Sequence, residues 1–289
     1  MKNGLKKIRR KAEIIQKTSS YLPSFNEKIN SILEVNNISY GKDKDNILDI
    51  YYKNDLNDAK TIIFVHGGGW CSYNKDFYRT PLKRISNMNT VVFNCNYALA
   101  PEHDIDDMEK DIFKILDYVV ENTSKYGGSN KKIVLMGDSA GAHLVSLVTS
   151  KLFMNKYDDN RYKNNIIALG LFYGVYNLYD AKNSKFPNIK TFINSIIDVD
   201  SCKENMDKIS PIYYITKELP KVFITSGEYD RLHKESVNYY NALIKNHVKV
   251  EKLFFKKDVI SARHSFLNYN YSKACKESLK KFNEFLNNL

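Results

Sequence analysis

Cysteine, proline and tryptophan are scarce in this chain of 289 residues, which contains four, six and one of them respectively. The four cysteines (Cys71, Cys95, Cys202 and Cys275) have no paired spacing and form no C-x-x-C motif. A disulfide framework and a zinc site both need such spacings, so we expect neither of them, and no bound metal. This use of cysteine is typical of a reduced compartment, and we expect a cytoplasmic protein.

Long apolar runs are also missing. No run approaches the roughly 18 residues that a membrane-spanning helix needs, and the basic residues 1–11 lack the apolar core of a secretory signal. The sequence shows neither an internal repeat nor a low-complexity linker. Its hydrophobic content of 43% is ordinary. Since the length lies near the upper limit for one hydrophobic core, we expect a single domain over residues 1–289.

Predicted strands and helices alternate along the chain. This alternation favours the α/β class, with a mostly parallel central sheet and helices on both of its faces. An irregular excursion over 176–210 and the basic N-terminal helical segment 1–32 are the candidates for a small cap. The predicted strands are 34–40, 47–53, 61–65, 90–95, 131–136, 166–172, 221–226 and 248–255, and the main predicted helices after the first are 76–88, 104–121, the segment following residue 139, 231–246 and 272–286.

Residues Gly137–Gly141 read Gly-Asp-Ser-Ala-Gly and follow the apolar run Ile133–Met136. A helical pattern follows them. This strand, G-x-S-x-G turn and helix are typical of a nucleophile elbow, in which glycines permit a strained turn that exposes the serine hydroxyl. Ser139 is therefore the candidate nucleophile.

A second glycine-rich segment, His66–Trp70, reads His-Gly-Gly-Gly-Trp and follows the buried strand pattern Ile62–Val65. Acyl transfer to a serine needs hydrogen-bond donors for the oxygen that becomes negative. We expect these donors to be the N–H groups of Gly67 and Gly68 and that of Ala140 after the nucleophile. A phosphate-binding loop is a poor alternative, because neither a Lys-Ser/Thr pair nor a G-x-G-x-x-G pattern is present.

With these two motifs the chain resembles α/β-hydrolases of the hormone-sensitive-lipase type (alpha/beta hydrolase fold-3), which include carboxylesterases and kynurenine-formamidase-like enzymes. The resemblance runs from about Ile38 to the C-terminus. It includes Tyr97–Glu102, where Ala98 replaces the usual arginine, and Gly227–Leu232. It implies an α/β-hydrolase fold and the hydrolysis of esters or related acyl compounds.

A serine nucleophile needs a histidine base, and in this fold the chain order is Ser, acid, His. Of the six histidines, only His264 lies between the last predicted strand and the last predicted helix. The turn after strand 221–226 offers two carboxylates, Glu228 and Asp230, and either fits the order. The resemblance favours Asp230 as the acid.

The function that we predict is hydrolysis of small carboxylic esters through an acyl-enzyme intermediate, without metal or organic cofactor. Aromatic residues near the site, among them Trp70, Tyr173 and Tyr176, are candidates for its substrate pocket, and core packing is the alternative role for each. An arylformamidase that cleaves an N-formyl amide is the first alternative function. A ligand-binding protein with an incomplete triad is the second.

The formal net charge of +11 comes mostly from scattered lysines. This scatter indicates a compositional bias, and we expect no nucleic-acid partner. The exception is the N-terminus, where six basic residues precede the first acid, Glu13. Ile8, Ile14 and Ile15 make this segment partly amphipathic, a property of membrane-surface helices. We interpret this N-terminal segment as a solvated helix at the mouth of the site and not as a membrane contact. The sequence predicts no particular oligomeric state.

Overall fold

The apolar segments form an eight-stranded sheet in the computed structural model, which describes residues 2–19, 21–22, 27–158, 160–197 and 202–289. The strand order is β1-β2-β4-β3-β5-β6-β7-β8. Both β1 with β2 and β2 with β4 pair antiparallel, and all later pairs are parallel. The strands are β1 (Leu33–Ser39), β2 (Ile47–Tyr52), β3 (Ala59–Val65), β4 (Thr90–Cys95), β5 (Gly128–Asp138), β6 (Ile166–Phe172), β7 (Lys221–Gly227) and β8 (Val250–Phe255).

Alternate side chains of the central strands enter two separate cores. Ile63 and Val65 of β3 face one core, whereas Ile62 and Phe64 face the other, and all four are fully buried. A parallel sheet covered on both faces needs such a continuous apolar run. The predicted α/β class with a mostly parallel sheet and helices on both faces is therefore confirmed.

Helices cover each face of the sheet. Apolar side chains of α3, α4 and α8 enter the first core, to which α1, α5, α6 and α7 also contribute, and those of α2 and α9 enter the second core. The helices are α1 (Lys2–Ser19), α2 (Arg79–Ser86), α3 (Ile105–Asn122), α4 (Ala140–Phe153), α5 (Leu178–Lys182), α6 (Ile189–Ser195), α7 (Lys203–Lys208), α8 (His233–Lys245) and α9 (Lys273–Asn287).

Most element boundaries differ from the sequence prediction by one or two residues, and two differences are larger. The predicted helix 76–88 is a short 3-10 turn, Lys75–Tyr78, followed by α2. Pro81 then lies in the first turn of α2, where its missing N–H costs no intrahelical hydrogen bond. Strand β5 begins at Gly128, earlier than the predicted residue 131.

Of the two candidate cap segments, the excursion 176–210 contains α5, α6 and α7, and segment 1–32 contains α1. Residues 1, 20, 23–26 and 198–201 of these segments lie outside the described residues. Buried Leu5 and the side chain of Arg9 hold α1 against the protein. Arg9 Nε donates to the carbonyl of Cys71 at 2.9 Å, and its guanidinium pairs with Glu102 at 2.8 Å. This helix is thus attached next to the His66–Trp70 loop.

Within the described ranges, each helix is too short or too polar to traverse a lipid bilayer. In that same part of the chain, no cluster of three or more His, Cys, Asp or Glu side chains is placed to hold a metal ion. All four cysteines are unpaired, and Cys202 alone of them is exposed.

Candidate active site

The turn between β5 and α4 holds Ser139 in a strained backbone conformation, with φ of 50° and ψ of −116°. A positive φ is rare for a residue with a side chain and persists only where the surroundings enforce it. The flanking glycines allow the required close packing. A Cβ on Gly137 would lie 2.4 Å from the carbonyl carbon of Gly141, and one on Gly141 would lie 1.9 Å from the carbonyl oxygen of Val65. The G-x-S-x-G spacing therefore has a local steric cause.

Three side chains from distant parts of the chain meet at this turn. His264 Nε2 lies 2.9 Å from Ser139 Oγ, and His264 Nδ1 lies 2.7 Å from Asp230 Oδ2. Asp230 follows β7, its side chain is 1% exposed, and its other oxygen accepts the N–H of Leu232 at 2.9 Å. Such an arrangement lets the carboxylate orient the imidazole and lets the imidazole accept the serine proton.

Aromatic rings hold the imidazole of His264 on two sides. The Tyr173 ring meets it edge-on at 5.1 Å and the Phe186 ring at 4.6 Å, measured between ring centroids. Phe186 comes from the excursion 176–210, and Arg231 fixes that segment by donating to the carbonyl of Lys185 at 2.9 Å. The position of His264 therefore depends on both the sheet core and the excursion.

The charge state of His264 is set by opposing effects. Burial disfavours the imidazolium and acts to lower the pKa. The carboxylate of Asp230 acts in the opposite direction through its charge and its hydrogen bond, and so does the charge of Asp138. Together the two carboxylates outweigh burial and raise the pKa of His264. A raised pKa makes His264 a stronger base that is protonated at a higher pH than an ordinary histidine.

The second acidic candidate, Glu228, lies apart from the imidazole. Its Oε2 accepts the N–H of Lys257 at 3.2 Å, and its Oε1 pairs with Lys256 at 3.5 Å. The structure thus brings Asp230 and not Glu228 to His264. The carboxylate of Glu228 stabilises the turn that follows β8.

Two other histidines are buried near the site and have structural partners. His143 accepts from Trp70 Nε1 at 3.1 Å through Nδ1 and donates to the carbonyl of Ile209 at 2.7 Å through Nε2. His66 donates from Nδ1 to the carbonyl of Gly67 at 2.7 Å. Burial lowers the pKa of each to about 4, so both are neutral and neither contacts Ser139.

The prediction that Gly67 donates to the developing oxyanion is wrong. Its N–H points to the carboxylate of Asp138, with 2.6 Å between Gly67 N and Asp138 Oδ1. The N–H groups of Gly68 and Gly69 have no hydrogen-bond partner among the described residues, and both glycines line the cavity. Ala140 is the first residue of α4, so its N–H has no intrahelical acceptor. The available donors are therefore those of Gly68, Gly69 and Ala140.

Sequence reasoning missed the part played by Asp138, the residue before the candidate nucleophile Ser139. Its carboxylate is fully buried and also accepts the hydroxyl of Tyr78 at 3.1 Å. Burial raises the pKa of Asp138 to about 6, although the N–H of Gly67 and the charge of His264 both act to lower it. The carboxylate fixes the first peptide of the glycine loop and thereby sets the direction of the next two N–H groups. The acid inside the G-x-S-x-G motif was the available signal.

A cavity of about 1020 Å³ opens at Ser139. Trp70 is part of its wall, as predicted, although the indole N–H is bonded to His143. Tyr173 and Tyr176 are fully buried and lie outside the lining, so their prediction as pocket residues is wrong. Tyr173 packs behind His264, and Tyr176 stacks on Tyr239 with centroids 4.2 Å apart. The lining comes instead from α1, the excursion and the segment 264–272.

We expect Gly68→Ala to lower kcat about a hundredfold or more, the usual cost of losing one oxyanion donor. The backbone of Gly68 has φ of 125°, and a Cβ there would lie 2.0 Å from the carbonyl oxygen of Ser72, so the loop must move. Gly4→Ala is the control, because a Cβ at Gly4 meets nothing within 4 Å. Steady-state kinetics with circular dichroism test the prediction. A folded Gly68→Ala variant with kcat near that of Gly4→Ala would contradict it.

The comparisons with known proteins concern the family and the fold of the chain. The BD-FAE family model matches residues 48–243, more than half of the chain, and the match includes the glycine loop, the elbow and Asp230. The chain belongs to the BD-FAE family. The last predicted strand and His264 lie beyond the match to the BD-FAE model.

Among curated relatives, the chain is 24% identical over 232 residues to the probable isoprenylcysteine alpha-carbonyl methylesterase ICMEL1 of Oryza sativa subsp. japonica, covering 75% of this chain and 55% of that protein. It is 29% identical over 207 residues to esterase LipQ of Mycobacterium tuberculosis, covering 68% of this chain and 49% of that protein. The chain thus spans about half the length of these relatives.

Among solved structures, esterase B from Lactobacillus rhamnosis matches with a TM-score of 0.83 and 17% identity. The match covers 99% of this chain and 96% of that one. At this identity the likeness shows the fold, and with the sheet order it confirms that the predicted α/β-hydrolase fold is correct.

Proposed function

We propose that this chain hydrolyses small carboxylic esters through a covalent acyl-enzyme. The observation that carries the proposal is the continuous hydrogen-bonded series from Ser139 through His264 to Asp230, with distances of 2.9 and 2.7 Å, at the base of a cavity. A serine hydroxyl is a weak nucleophile until a base removes its proton, and this arrangement supplies the base in the correct orientation.

In the acylation step, His264 takes the proton of Ser139 as Oγ attacks the ester carbonyl. The carbonyl oxygen becomes negative and is stabilised by the N–H groups of Gly68, Gly69 and Ala140. The imidazolium of His264, stabilised by Asp230, then gives its proton to the leaving alcohol as the C–O bond breaks. Water repeats the sequence on the acyl-enzyme, with His264 as base, and the free acid leaves Ser139 regenerated.

The relatives support this reaction type. An esterase and a methylesterase are among the proteins that the chain resembles in sequence, and an esterase shares its fold. The ligand-binding alternative needs a defective triad, and the spacing of the three side chains argues against it. No observation favours the arylformamidase alternative over the esterase.

The same proposal includes the domain organisation. Residues 1–289 act as one hydrolase domain, and segments 1–32 and 176–210 form its small cap. Support comes from the cavity, whose lining includes Ile8 and Ile15 of α1 as well as Phe186 and Phe192 of the excursion.

The test is a comparison of kcat/KM for 4-nitrophenyl acetate, butyrate and octanoate with that for N-formylkynurenine. We expect turnover of the esters, with the short acyl chains preferred because the cap is small. Faster hydrolysis of N-formylkynurenine than of every ester would favour the arylformamidase. The absence of turnover on all four compounds would favour ligand binding.

A further inference from the structure

Helix α1 presents two different faces. Leu5, Arg9 and Gln16 face the protein, where Gln16 Nε2 donates to Asn74 Oδ1 at 2.5 Å. A second face, including Lys7 and Lys11, lines the cavity that contains Ser139. Residues four apart lie above one another on a helix, so the two ammonium groups share one side of the cavity mouth.

These two lysines have no salt bridge or hydrogen bond to any described residue, in contrast to Arg9 on the same helix, which pairs with Glu102. Both are exposed at the rim. They are therefore available to a charged group that enters the cavity.

The remaining lining does not neutralise them. Among the described lining residues, the one carboxylate is that of Asp138, which is fully buried and already holds the N–H of Gly67 and the hydroxyl of Tyr78. Much of the remaining lining is aromatic, with Tyr73, Phe186, Phe192 and Tyr269. The cavity thus combines an apolar interior with a cationic rim on the α1 side.

We propose that the site prefers esters carrying a negative charge remote from the scissile carbonyl, with Lys7 and Lys11 binding that anion. The proposal rests on the proposed esterase function and adds its substrate class. Two ammonium groups beside an apolar wall attract an anion, and low-dielectric walls strengthen that attraction over the value in bulk water. The group recognised is a carboxylate or a similar small anion on either the acyl or the alcohol part.

The experiment uses two pairs of substrates. 4-Nitrophenyl hemiglutarate and 4-nitrophenyl valerate differ by an anion on the acyl side. 4-Acetoxybenzoate and its methyl ester differ by an anion on the leaving-group side. The test variant is Lys7→Gln with Lys11→Gln. Its matched control is Lys6→Gln with Arg10→Gln, which removes the same charge from exposed residues of α1 that lie outside the cavity lining.

We expect the test variant to lower kcat/KM about tenfold for at least one anionic ester, since each exposed ion pair contributes only modestly and the variant removes two of them. The loss should fall mainly on KM, because the anion lies far from the reacting atoms. Hydrolysis of the matching neutral ester should change less than about twofold, and high salt should reduce the difference through screening. The control variant should behave like the unmodified chain.

Three results would overturn this inference and leave ester hydrolysis intact. They are an equal loss of kcat/KM on both members of each substrate pair, no loss of kcat/KM on either anionic ester, and a loss in the control variant equal to that in the test variant. If the unmodified chain hydrolyses none of the four esters, the proposed function fails, and the substrate class fails with it.

Discussion

Replacing Ser139 by alanine should reduce kcat for 4-nitrophenyl butyrate by about 10⁴- to 10⁶-fold, the range found when a serine hydrolase loses its nucleophile. Without Oγ no acyl-enzyme forms, and only the oxyanion donors and substrate binding remain to assist water. Alanine also carries a Cβ, so the strained backbone with φ of 50° is no more disfavoured than before. Steady-state kinetics on the purified variant measure the loss.

The control is Ser146→Ala on the same helix. Ser146 is also buried, but its hydroxyl donates to the carbonyls of Ala142 and His143 within α4 and lies outside the cavity lining. This variant should keep its activity. If Ser139→Ala retained activity within about tenfold of the unmodified chain while remaining folded, the assignment of the nucleophile would be wrong.

The second large effect concerns Asp230→Asn, which should lower kcat by about 10³- to 10⁴-fold because the imidazole loses its orienting carboxylate. It should also move the pH profile. His264 acts as a base only when neutral, so activity falls as the pH drops through its pKa. Asp230 and Asp138 raise that pKa above the ordinary value of about 6.5, although burial acts to lower it.

Removing the charge of Asp230 lowers the pKa of His264, so the acid limb of kcat/KM should shift to lower pH. Asp138, the other carboxylate whose charge affects His264, remains in both proteins. Glu228→Gln is the matched control in the same turn, because Glu228 contacts the backbone of Lys257 and not His264. An unchanged acid limb in Asp230→Asn, or an equal shift in Glu228→Gln, would contradict the assignment.

The features that the sequence predicted well are local ones. The elbow at Ser139 depends on two glycines within two residues of it, and each glycine has a measurable steric reason. The strands of the core are equally local, because runs such as Ile62–Val65 must be buried on both sides. The chain order of the fold predicted His264 and left Glu228 and Asp230 as candidate acids, between which the resemblance favoured Asp230. Chain order indicates the element that carries each residue but not the contacts of its side chain.

The features that the sequence did not predict depend on side chains from separate elements. The N–H of Gly67 is directed by a carboxylate on β5, and nothing within the loop itself indicates that direction. Tyr173 directly follows β6 and Tyr176 lies three residues later, yet their rings turn into the core against His264 and Tyr239. A residue's position beside a site therefore does not determine whether its side chain enters the cavity.

Mapping the residue modified by a fluorophosphonate probe tests the central claim most directly, since the probe reacts only with a serine activated by a working base. Intact mass and peptide mass spectrometry should show one adduct per chain, located on Ser139, and none in the Ser139→Ala variant. An unmodified chain, or an adduct on a different residue, would contradict a nucleophile at residue 139 activated by His264.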